Sequence, residues 1–380
     1  MTRPVLVLVG AAALAGACVG SPPAGGGDPG PDGGSSGGSD GGGRPPDAAP
    51  GAMAPEIGTG DHTPGSVDLV VELEGDQLNH PTDLAFDPQS GRLWIVNQGD
   101  GGWTLVDDVE RSGRAARRFF DDSGHFLDRP TGLSFHGSEK VLATCQESTN
   151  GGDYFMGPTA WTSDVALFEG GTNSHYDMLH ESANCMGIAW TEAHVWWAFN
   201  GRRGSLDRND YHGWHPDAPG GLGGHDHSDG EIFRYADGQL ARVPGVPSGM
   251  QHDAGSGQLY VADTGHGRVV RIDATPRRGE QIPSVNDEVP LYRVDGVDLE
   301  EVIAPGALGQ PSGLALHKGL LYVVDHASGV IAAYTTSGER VNWLDTGLGA
   351  GHVTSLVISP SGHVHFLDSA DGRLYRIDPH

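Results

Sequence analysis

A short phrase recurs six times between Pro81 and Ile358, and this repetition constrains the fold more than any other feature of the chain. Each copy holds a small polar residue and usually a Gly or Asp, and then continues into an apolar run. The copies are 42 to 64 residues apart and begin at Pro81, Pro130, Cys185, Pro247, Pro311 and Val353. Repeats of this length are typical of folds that stack one small structural unit many times.

Further apolar runs follow each copy of the phrase. The second runs are short, β-branched and aromatic, as in residues 259–262. Third runs follow Gly230, Gly267, Gly329 and Gly372, and less regular outer runs occupy residues 117–120, 240–243 and 289–292. Short runs of this composition, bounded by Gly or Asp, indicate strands. Four strands in each of six repeats predict an all-β fold, a six-bladed β-propeller of four-stranded antiparallel blades.

The closure of the ring can be predicted from the two ends of the repeat region. An apolar run at residues 67–73 precedes the first phrase, whereas the sixth phrase is followed by only two further runs before His380. We therefore expect the N-terminal run to pair with the last blade as its outer strand. This pairing closes the propeller and covers two sheet edges that would otherwise be exposed.

The first residues have the composition of a bacterial export signal. Arg3 is followed by an apolar stretch at residues 5–17, which is too short to span a membrane, and Cys18 comes directly after it. This segment resembles the lipobox of bacterial lipoproteins, with Ala15 where the family prefers Leu. The resemblance implies cleavage before Cys18 and lipidation of its thiol. The alternative is an ordinary signal peptide that ends near a cysteine.

The next segment has a composition that does not support a hydrophobic core. Residues 19–61 consist mainly of Gly, Pro, Ser and Asp, so burial cannot offset the entropy of ordering them. We therefore divide the chain into a signal peptide (1–17), a lipidated cysteine with a disordered tether (18–62) and the propeller (63–380). Such a chain would be anchored outside the cytoplasm to a bacterial membrane, the outer membrane or cell surface rather than the inner membrane.

The charge of the chain excludes one class of partner. The formal net charge is −27, from 50 acidic and 23 basic residues. A field of this sign repels phosphate backbones, so we expect no nucleic-acid partner. The expected partner is a small-molecule or protein ligand at the cell envelope, with the protein itself a monomer that contacts the membrane only through its lipid.

Two cysteines remain after Cys18. Cys145 ends a second strand and Cys185 begins the first strand of the next repeat. These two strand ends lie at the same edge of an antiparallel blade, which we call face A; the inner strands end at the other edge, face B. Cys145 and Cys185 therefore lie on one face of neighbouring blades. Outside the cytoplasm they can form a disulfide, or they can pack as two small buried thiols.

The fourth phrase resembles an NHL repeat. The matching residues are Pro247-Ser248-Gly249-Met250, then Gly257 to Asp263, then Gly267-Arg268-Val269. The sixth phrase is similar through Gly362, Phe366-Leu367-Asp368 and Gly372-Arg373-Leu374. The resemblance covers residues 66–379 and implies a six-bladed propeller in which Asp263, Asp325 and Asp368 stabilise turns.

Peptide-amidating lyases are NHL-type propellers, and this chain departs from them at the zinc ligands. The resemblance would place histidines directly after the residue that opens each inner strand. Those positions hold Thr82, Thr131, Met186, Ser248, Ser312 and Thr354. None of these side chains can replace an imidazole as a zinc ligand. Nor does a Glu, Asn and Asp set of the kind found in lactonase-type propellers transfer to this chain residue by residue.

The longest interruption of the repeat lies in the third phrase, between residues 200 and 229. We place it between the second and third strands, on face A at the mouth of the channel. It is rich in His and Asp, which suits a divalent metal such as zinc or calcium. The candidate ligands are His225, His227, Asp226, Asp229, His212 and His215. The alternative is a polar lid whose His and Asp side chains stabilise turns.

The sequence favours a binding function for this propeller. Long loops on a rigid scaffold are typical of binding surfaces, so we expect a ligand- or protein-binding module that acts through its loop-bearing face. The alternative is a metal-dependent hydrolase or lyase with its site at the channel mouth near residues 200–229. No set of nucleophile, base and orienting residue can be assembled from the sequence, so no catalytic residue is predicted.

Overall fold

A computed structural model of the chain describes residues 54–120, 125–152, 154–166, 175–213, 230–286 and 289–380. These residues form 26 strands in six sheets, and each sheet is a blade of a six-bladed β-propeller. The predicted fold class is confirmed. Among the described residues there is no helix long and apolar enough to span a lipid bilayer.

The strands follow the blades in chain order, except for the first. Strand β1 is Val67–Leu73. Blade 1 contains β2 (Pro81–Phe86), β3 (Leu93–Asn97), β4 (Gly102–Asp107) and β5 (Ala115–Phe119). Blade 2 contains β6 (Pro130–Phe135), β7 (Val141–Gln146), β8 (Thr159–Thr162) and β9 (His175–Met178). Blade 3 contains β10 (Cys185–Glu192), β11 (Val195–Asn200), β12 (Ser205–Asp210) and β13 (Glu231–Tyr235).

The remaining three blades continue this pattern. Blade 4 contains β14 (Met250–Asp253), β15 (Gln258–Asp263), β16 (Arg268–Asp273) and β19 (Glu300–Ile303). Two extra strands, β17 (Glu280–Ile282) and β18 (Leu291–Val294), extend the sheet of blade 3. Blade 5 contains β20 (Pro311–His317), β21 (Leu320–Asp325), β22 (Val330–Thr335) and β23 (Arg340–Asp345). Blade 6 contains β24 (Val353–Ile358), β25 (Val364–Asp368) and β26 (Arg373–Pro379). Short 3-10 helices occupy Pro55–Ile57, Pro64–Ser66, Gly75–Gln77, His125–Leu127 and Thr264–His266.

The N-terminal strand closes the ring as predicted. Strand β1 pairs with β26 in antiparallel register, with Val67 opposite Pro379 and Leu69 opposite Ile377. The sheet order β1-β26-β25-β24 makes β1 the outer strand of blade 6. The two ends of the propeller are therefore hydrogen-bonded within one blade.

The core lies between the blades. Apolar side chains of the second and third strands pack against those of the next blade, as Trp94 and Trp103 of blade 1 do with Trp161 of blade 2. The rings of Trp103 and Trp161 meet edge to face with their centroids 5.7 Å apart. All three tryptophans are fully buried. Large aromatic surfaces of this kind contribute much of the stability of a packed interface.

The threonine hydroxyl of the phrase links neighbouring blades at three junctions. Thr82 donates a hydrogen bond to the carbonyl oxygen of Pro130 at 2.7 Å, and Thr131 donates to that of Cys185 at 2.6 Å. Thr354 of blade 6 donates to the Pro81 carbonyl at 3.3 Å, across the junction of the last and first blades. These side chains stand where amidating lyases would carry zinc ligands, and here they hold neighbouring inner strands together.

The glycine of the phrase is required by close packing of inner strands. A Cβ atom on Gly187 would lie 1.8 Å from the carbonyl oxygen of Ser248, and one on Gly313 would lie 2.5 Å from the Cα atom of Ser355. No side chain fits at either position unless a blade moves. The ring of inner strands is therefore tight at this level of the channel.

Blade 3 differs from the prediction. Its third strand is Ser205–Asp210, and the run after Gly230, predicted as the third strand, is the fourth. The sequence of β12 is polar, yet its side chains are buried because they bond to each other and to β13. Arg234 donates two hydrogen bonds to the fully buried carboxylate of Asp207, both at 2.9 Å. The contact between Asp207 and Arg234 allows this polar strand to be buried. A search for apolar runs therefore could not find it.

Two predicted outer runs are also placed differently. Residues 240–243 form no strand of a sheet, and residues 291–294 form β18, which pairs in parallel with β13 of blade 3 rather than closing blade 4. Each run has a buried apolar side chain, Leu240 in the first and Leu291 in the second. Burial alone does not determine which sheet a segment joins, and β19 takes the outer position of blade 4.

The residues before β1 pack on blade 5. Ala54 and Ile57 are buried, and the side-chain amide of Asn342 donates to the carbonyl oxygens of Ala54 and Gly58 at 3.0 and 2.6 Å. Glu56 accepts hydrogen bonds from Lys318 and Tyr322. Composition assigned residues 54–62 to the tether, whereas these contacts make them part of the folded domain.

Candidate functional site

Face A is built on six polar side chains that end the second strands. They are Asn97, Gln146, Asn200, Asp263, Asp325 and Asp368, and all are buried. Asp325 shows their role, because its Oδ1 atom accepts hydrogen bonds from the backbone amides of Gln310 at 2.8 Å and Gly309 at 3.1 Å. Asp263 likewise accepts from the amide of Ala241 at 2.8 Å. Asp325 and Asp263 thus fix the loops of face A.

Three residues on the rim of face A have a left-handed backbone. His80, Arg129 and Asn184 immediately precede the inner strands of blades 1, 2 and 3, with φ values of 49°, 56° and 51°. His80 and Arg129 also precede prolines, where this conformation is further disfavoured. Strain of this kind costs about 1–3 kcal/mol per residue and is found at binding and active sites. All three residues line the cavities described next.

Two adjoining cavities lie at this rim and share Asp128 and Arg129. Their volumes are about 660 and 480 Å³. We call the two together the rim basin. It is lined by His80, Gln98, Gly99, Asp100, Gly101, Leu127, Asp128, Arg129, Glu147, Ser148, Thr149, Asn150, Asn184 and Gly245. Leu127 is the only apolar side chain among these lining residues, so the rim basin suits a polar ligand.

Glu147 organises the charges of the rim basin. Its carboxylate is 5% exposed and accepts hydrogen bonds from Arg129 at 3.2 Å and from the amide of Gly245 at 2.8 Å, and it also pairs with Arg242. The Arg129 side chain is 51% exposed. Glu147 therefore holds one end of the guanidinium, while the remaining N–H groups of Arg129 stay accessible from the basin.

The other two carboxylates of the basin are also paired. Asp100 accepts two hydrogen bonds from Arg118, at 2.6 and 2.7 Å. Asp128 accepts one from the hydroxyl of Ser148 at 2.7 Å. A paired carboxylate keeps spare lone pairs that can accept hydrogen bonds from ligand hydroxyls. The basin thus combines such acceptors with the amide, hydroxyl and guanidinium groups around them.

The central channel holds a smaller cavity of about 280 Å³. It extends along the inner strands from the first residues of the phrase to Trp190 and His252 at face B. Asp83 is the only acidic residue among those that line it. Burial raises the pKa of Asp83 to about 6, against hydrogen bonds from Ser355 and from the amide of Leu133 that lower it. A carboxyl group in this range can exchange a proton near neutral pH.

The two ends of the long loop of blade 3 lie on the other face from the one predicted. The loop connects β12 to β13, and Asp210 and Glu231, which pair at its two ends, lie at face B. The sequence-based placement on face A is wrong because the polar strand β12 was assigned to the loop. The Nε2 atom of His212 lies 3.7 Å from Glu231 and 3.9 Å from Asp210. His215, His225, Asp226, His227 and Asp229 lie outside the described residues, and their role as metal ligands stays a prediction.

Cys145 and Cys185 are joined by a disulfide in the structure, with their Cα atoms 5.1 Å apart. The bond links the end of β7 to the start of β10 and so ties blade 2 to blade 3 on face A. Cys18 lies outside the described residues, so its lipidation stays a prediction.

The sequence-based search missed the rim residues. Arg129 and Asn184 stand one position before their phrases, and Glu147 stands one position after a second strand. A register alignment of the six phrases would have placed all three at the same level of face A. Their side chains carry no motif, which is why neither composition nor spacing identified them.

Comparison with known proteins supports the fold. No protein-family model matches this chain, and no curated protein matches it. Similar solved structures include a protein of unknown function from Bacteroides thetaiotaomicron (TM-score 0.56, 10% identity, covering 83% of this chain and 76% of that one). An auxiliary nutrient binding protein from Bacteroides ovatus has a TM-score of 0.54 at 14% identity, covering 83% of this chain and 76% of its own. A putative phosphatase from Bacteroides thetaiotaomicron has a TM-score of 0.53 at 12% identity, covering 83% and 79%. At these identities the likeness concerns the fold alone.

Proposed function

We propose that this protein is an NHL-type propeller that binds a small polar ligand in the rim basin of face A. The observation that carries the proposal is the basin itself, in which two cavities meet at Arg129 and only Leu127 is apolar. A backbone strained at His80, Arg129 and Asn184 borders the same two cavities. The similar propeller named as an auxiliary nutrient binding protein is consistent with a binding role.

The chemistry of the basin favours a neutral ligand rich in hydroxyl groups, such as a sugar. Gln98, Asn150 and Asn184 offer amides, Ser148 offers a hydroxyl and Arg129 offers charged donors. Side chains that both donate and accept suit hydroxyl groups, which also do both. The net charge of −27 disfavours a polyanion. A large apolar ligand would find little surface to bury here.

The proposed location is the outside of a bacterial membrane, with the outer membrane or cell surface favoured. Lipidation of Cys18 would anchor the chain, and the Gly- and Pro-rich residues up to 53 would separate the propeller from the bilayer. A monomer on such a tether could sample ligands near the surface. Metabolic labelling with a fatty acid, compared between the wild type and Cys18→Ser, tests the anchor.

A panel of neutral sugars titrated into the full chain by calorimetry tests the binding function. Arg129→Ala should weaken the binding of the best ligand by about 10-fold or more, since a hydrogen bond from a charged group contributes about 1.5–3 kcal/mol. Arg111→Ala is the matched control, because the Arg111 side chain is 78% exposed and lies outside the basin. Equal affinity of the wild type and Arg129→Ala would rule out the basin as the site.

A hydrolase or lyase is the second candidate, and Asp83 is the observation that favours it. Its carboxyl lines the central cavity and has a pKa of about 6, as a general acid or base requires. The metal-dependent form of this proposal would also use the His- and Asp-rich loop of blade 3, whose two ends lie at face B. A screen of ester and lactone substrates with the wild type and Asp83→Asn tests it. Turnover that is unchanged in Asp83→Asn would exclude Asp83 as the proton carrier.

A further inference from the structure

Three potential metal ligands meet on face A at blade 6. His352 precedes β24, Asp368 ends β25, and Asp371 lies in the turn between β25 and β26. One nitrogen or oxygen atom of each side chain lies within 4.8 Å of those of the other two. Two atoms bound to one ion at about 2.0–2.2 Å are at most about 4.4 Å apart, so a side-chain movement of a few tenths of an ångström would let one ion contact all three.

In blades 4 and 5, the aspartate at the turn after the second strand has hydrogen-bond partners on both carboxylate oxygens, whereas its counterpart in blade 6 has them on only one. In blade 4 the Oδ2 atom of Asp263 accepts hydrogen bonds from Arg268 at 2.7 Å and His266 at 2.8 Å. In blade 5 the Oδ2 atom of Asp325 accepts one from Ser328 at 2.7 Å. Both aspartates therefore have partners on both carboxylate oxygens, supplied by the chain itself.

The Oδ2 atom of Asp368 in blade 6 lacks the hydrogen-bond donors that the Oδ2 atoms of Asp263 and Asp325 have. Its Oδ1 atom accepts hydrogen bonds from His352 at 3.0 Å and from the amides of Ala370 and Asp371 at 3.1 Å. Its Oδ2 atom is buried and has no hydrogen-bond partner among the described residues. Arg373, which corresponds to Arg268, contacts Glu74 and Asp371 instead, each at 3.3 Å.

The turn after the second strand carries more negative charge in blade 6 than in blade 4. Asp371 stands where blade 4 has His266, so a donor to the buried aspartate is replaced by a second carboxylate. Arg373 partly offsets Asp371, but it leaves the Oδ2 atom of Asp368 without a donor. A buried carboxylate oxygen without a donor is costly, and a bound cation would compensate for it.

We propose that His352, Asp368 and Asp371 bind a divalent transition-metal ion such as Zn²⁺ or Mn²⁺. Imidazole suits Zn²⁺ and carboxylate suits Mn²⁺, so this mixed set of ligands can bind either ion. Three protein ligands leave at least one coordination position for water or another group. The site is close to the rim basin, since Ser369, next to Asp368, has its carbonyl oxygen 3.2 Å from the Nδ1 atom of His80, which lines the basin.

The test is metal binding by the full chain after treatment with a chelator. Zn²⁺ and Mn²⁺ are titrated separately by calorimetry, and the bound metal is counted by elemental analysis after dialysis. Asp371→Asn and His352→Gln should each lose one equivalent of metal or bind it at least about 10-fold more weakly. Asp371→Asn should still fold, because the Asp371 side chain is 49% exposed and its backbone amide, which bonds Asp368, is retained.

Two controls separate this site from other histidines. His326→Gln removes a histidine on the same face in blade 5, whose Nδ1 atom lies 2.8 Å from the carbonyl oxygen of Val353, and it should bind metal as the wild type does. The double variant His225→Ala with His227→Ala should also keep the one equivalent of metal that binds at the His352 site. Metal should raise the melting temperature of the wild type but not of Asp371→Asn. The proposal is overturned if both ligand variants bind metal as the wild type does, or if the loop double variant alone loses it.

Discussion

Ser355 of the last blade donates a hydrogen bond to the carboxylate of Asp83 in the first blade, with an oxygen–oxygen distance of 2.6 Å. The other carboxylate oxygen of Asp83 accepts from the amide of Leu133 in the second blade at 2.9 Å. One side chain thus connects three blades, including the two that meet where the chain closes. The same carboxyl group lines the central cavity, so its protonation affects both the junction and the channel.

The stability of the protein should depend on the ionisation of Asp83. Burial raises its pKa from 3.8 to about 6, although hydrogen bonds oppose the shift. A carboxyl with a raised pKa in the folded state contributes stability below its unfolded pKa, and this contribution is lost as the pH rises through about 6. We expect a loss of about 2 kcal/mol in the free energy of unfolding between about pH 4 and pH 7 from this group.

Asp83→Asn should remove this dependence and stabilise the protein at about pH 7.5 relative to the wild type. Denaturant unfolding near pH 4.5 and pH 7.5 measures the difference. Asp108→Asn serves as the control, because that side chain is 60% exposed and lies outside the cavity. An effect of Asp83→Asn that is equal at both pH values would contradict the assignment.

The contribution of Glu110 to the stability of the protein should have the opposite dependence on pH to that of Asp83. Burial alone would raise its pKa, but hydrogen bonds from Ser359, Ser361, His363 and His365 hold it at about 2. A lowered pKa contributes stability above the unfolded value of 4.5, and the contribution is lost as the pH falls toward 2.

Glu110→Gln should therefore destabilise the protein by about 1 kcal/mol near pH 7, a value reduced for the exposure of this side chain to solvent. The difference from the wild type should shrink as the pH falls below about 4.5 and vanish below about pH 2, where Glu110 is protonated in the folded protein too. Thermal unfolding across this range measures it. A penalty of the same size at low pH would show that the contacts do not depend on charge.

Gly187 should tolerate no side chain. A Cβ atom there would lie 1.8 Å from the Ser248 carbonyl oxygen, so Gly187→Ala must displace the inner strand of blade 3 or blade 4. We expect a loss of about 3 kcal/mol or more in the free energy of unfolding. Gly113→Ala is the control, because no neighbouring atom lies within 4 Å of a Cβ at that position. Similar stabilities of the two variants would show that the blades can separate freely.

The disulfide between Cys145 and Cys185 should contribute to stability. It closes a loop of 40 residues, for which chain entropy predicts about 4 kcal/mol. The paired variant Cys145→Ser with Cys185→Ser should melt at a lower temperature than the oxidised wild type. Mass spectrometry with and without a reductant should show that the wild type carries the bond. If the reduced and oxidised proteins melt together, the bond does not stabilise the fold.

The architecture could be predicted because the repeat appears in the residues themselves. The six phrases mark the inner strands, and the run at residues 67–73 has its partner in β26. Both features depend on apolar patterns that survive in every blade. The sequence therefore determined the number of blades and the way in which the ring closes.

The site was less predictable, because its residues are defined by neighbours far away in the chain. The strand β12 is polar, and only its contact with Arg234 explains why Asp207 is buried. Arg129 and Glu147 meet at the rim of blade 2 without a shared motif. His352 and Asp368 likewise resembled ordinary turn residues until blades 4 and 5 provided the comparison.

The pairing of β1 with β26 has a consequence for how the protein is made. The strand that is synthesised first completes the blade that is synthesised last, so the final sheet can form only after residue 379 has left the ribosome. Until then β1 has no partner, and its N–H and C=O groups are open to other chains. The nascent domain should therefore need protection from association until its last strand arrives, and its slow folding step should be the meeting of its two ends.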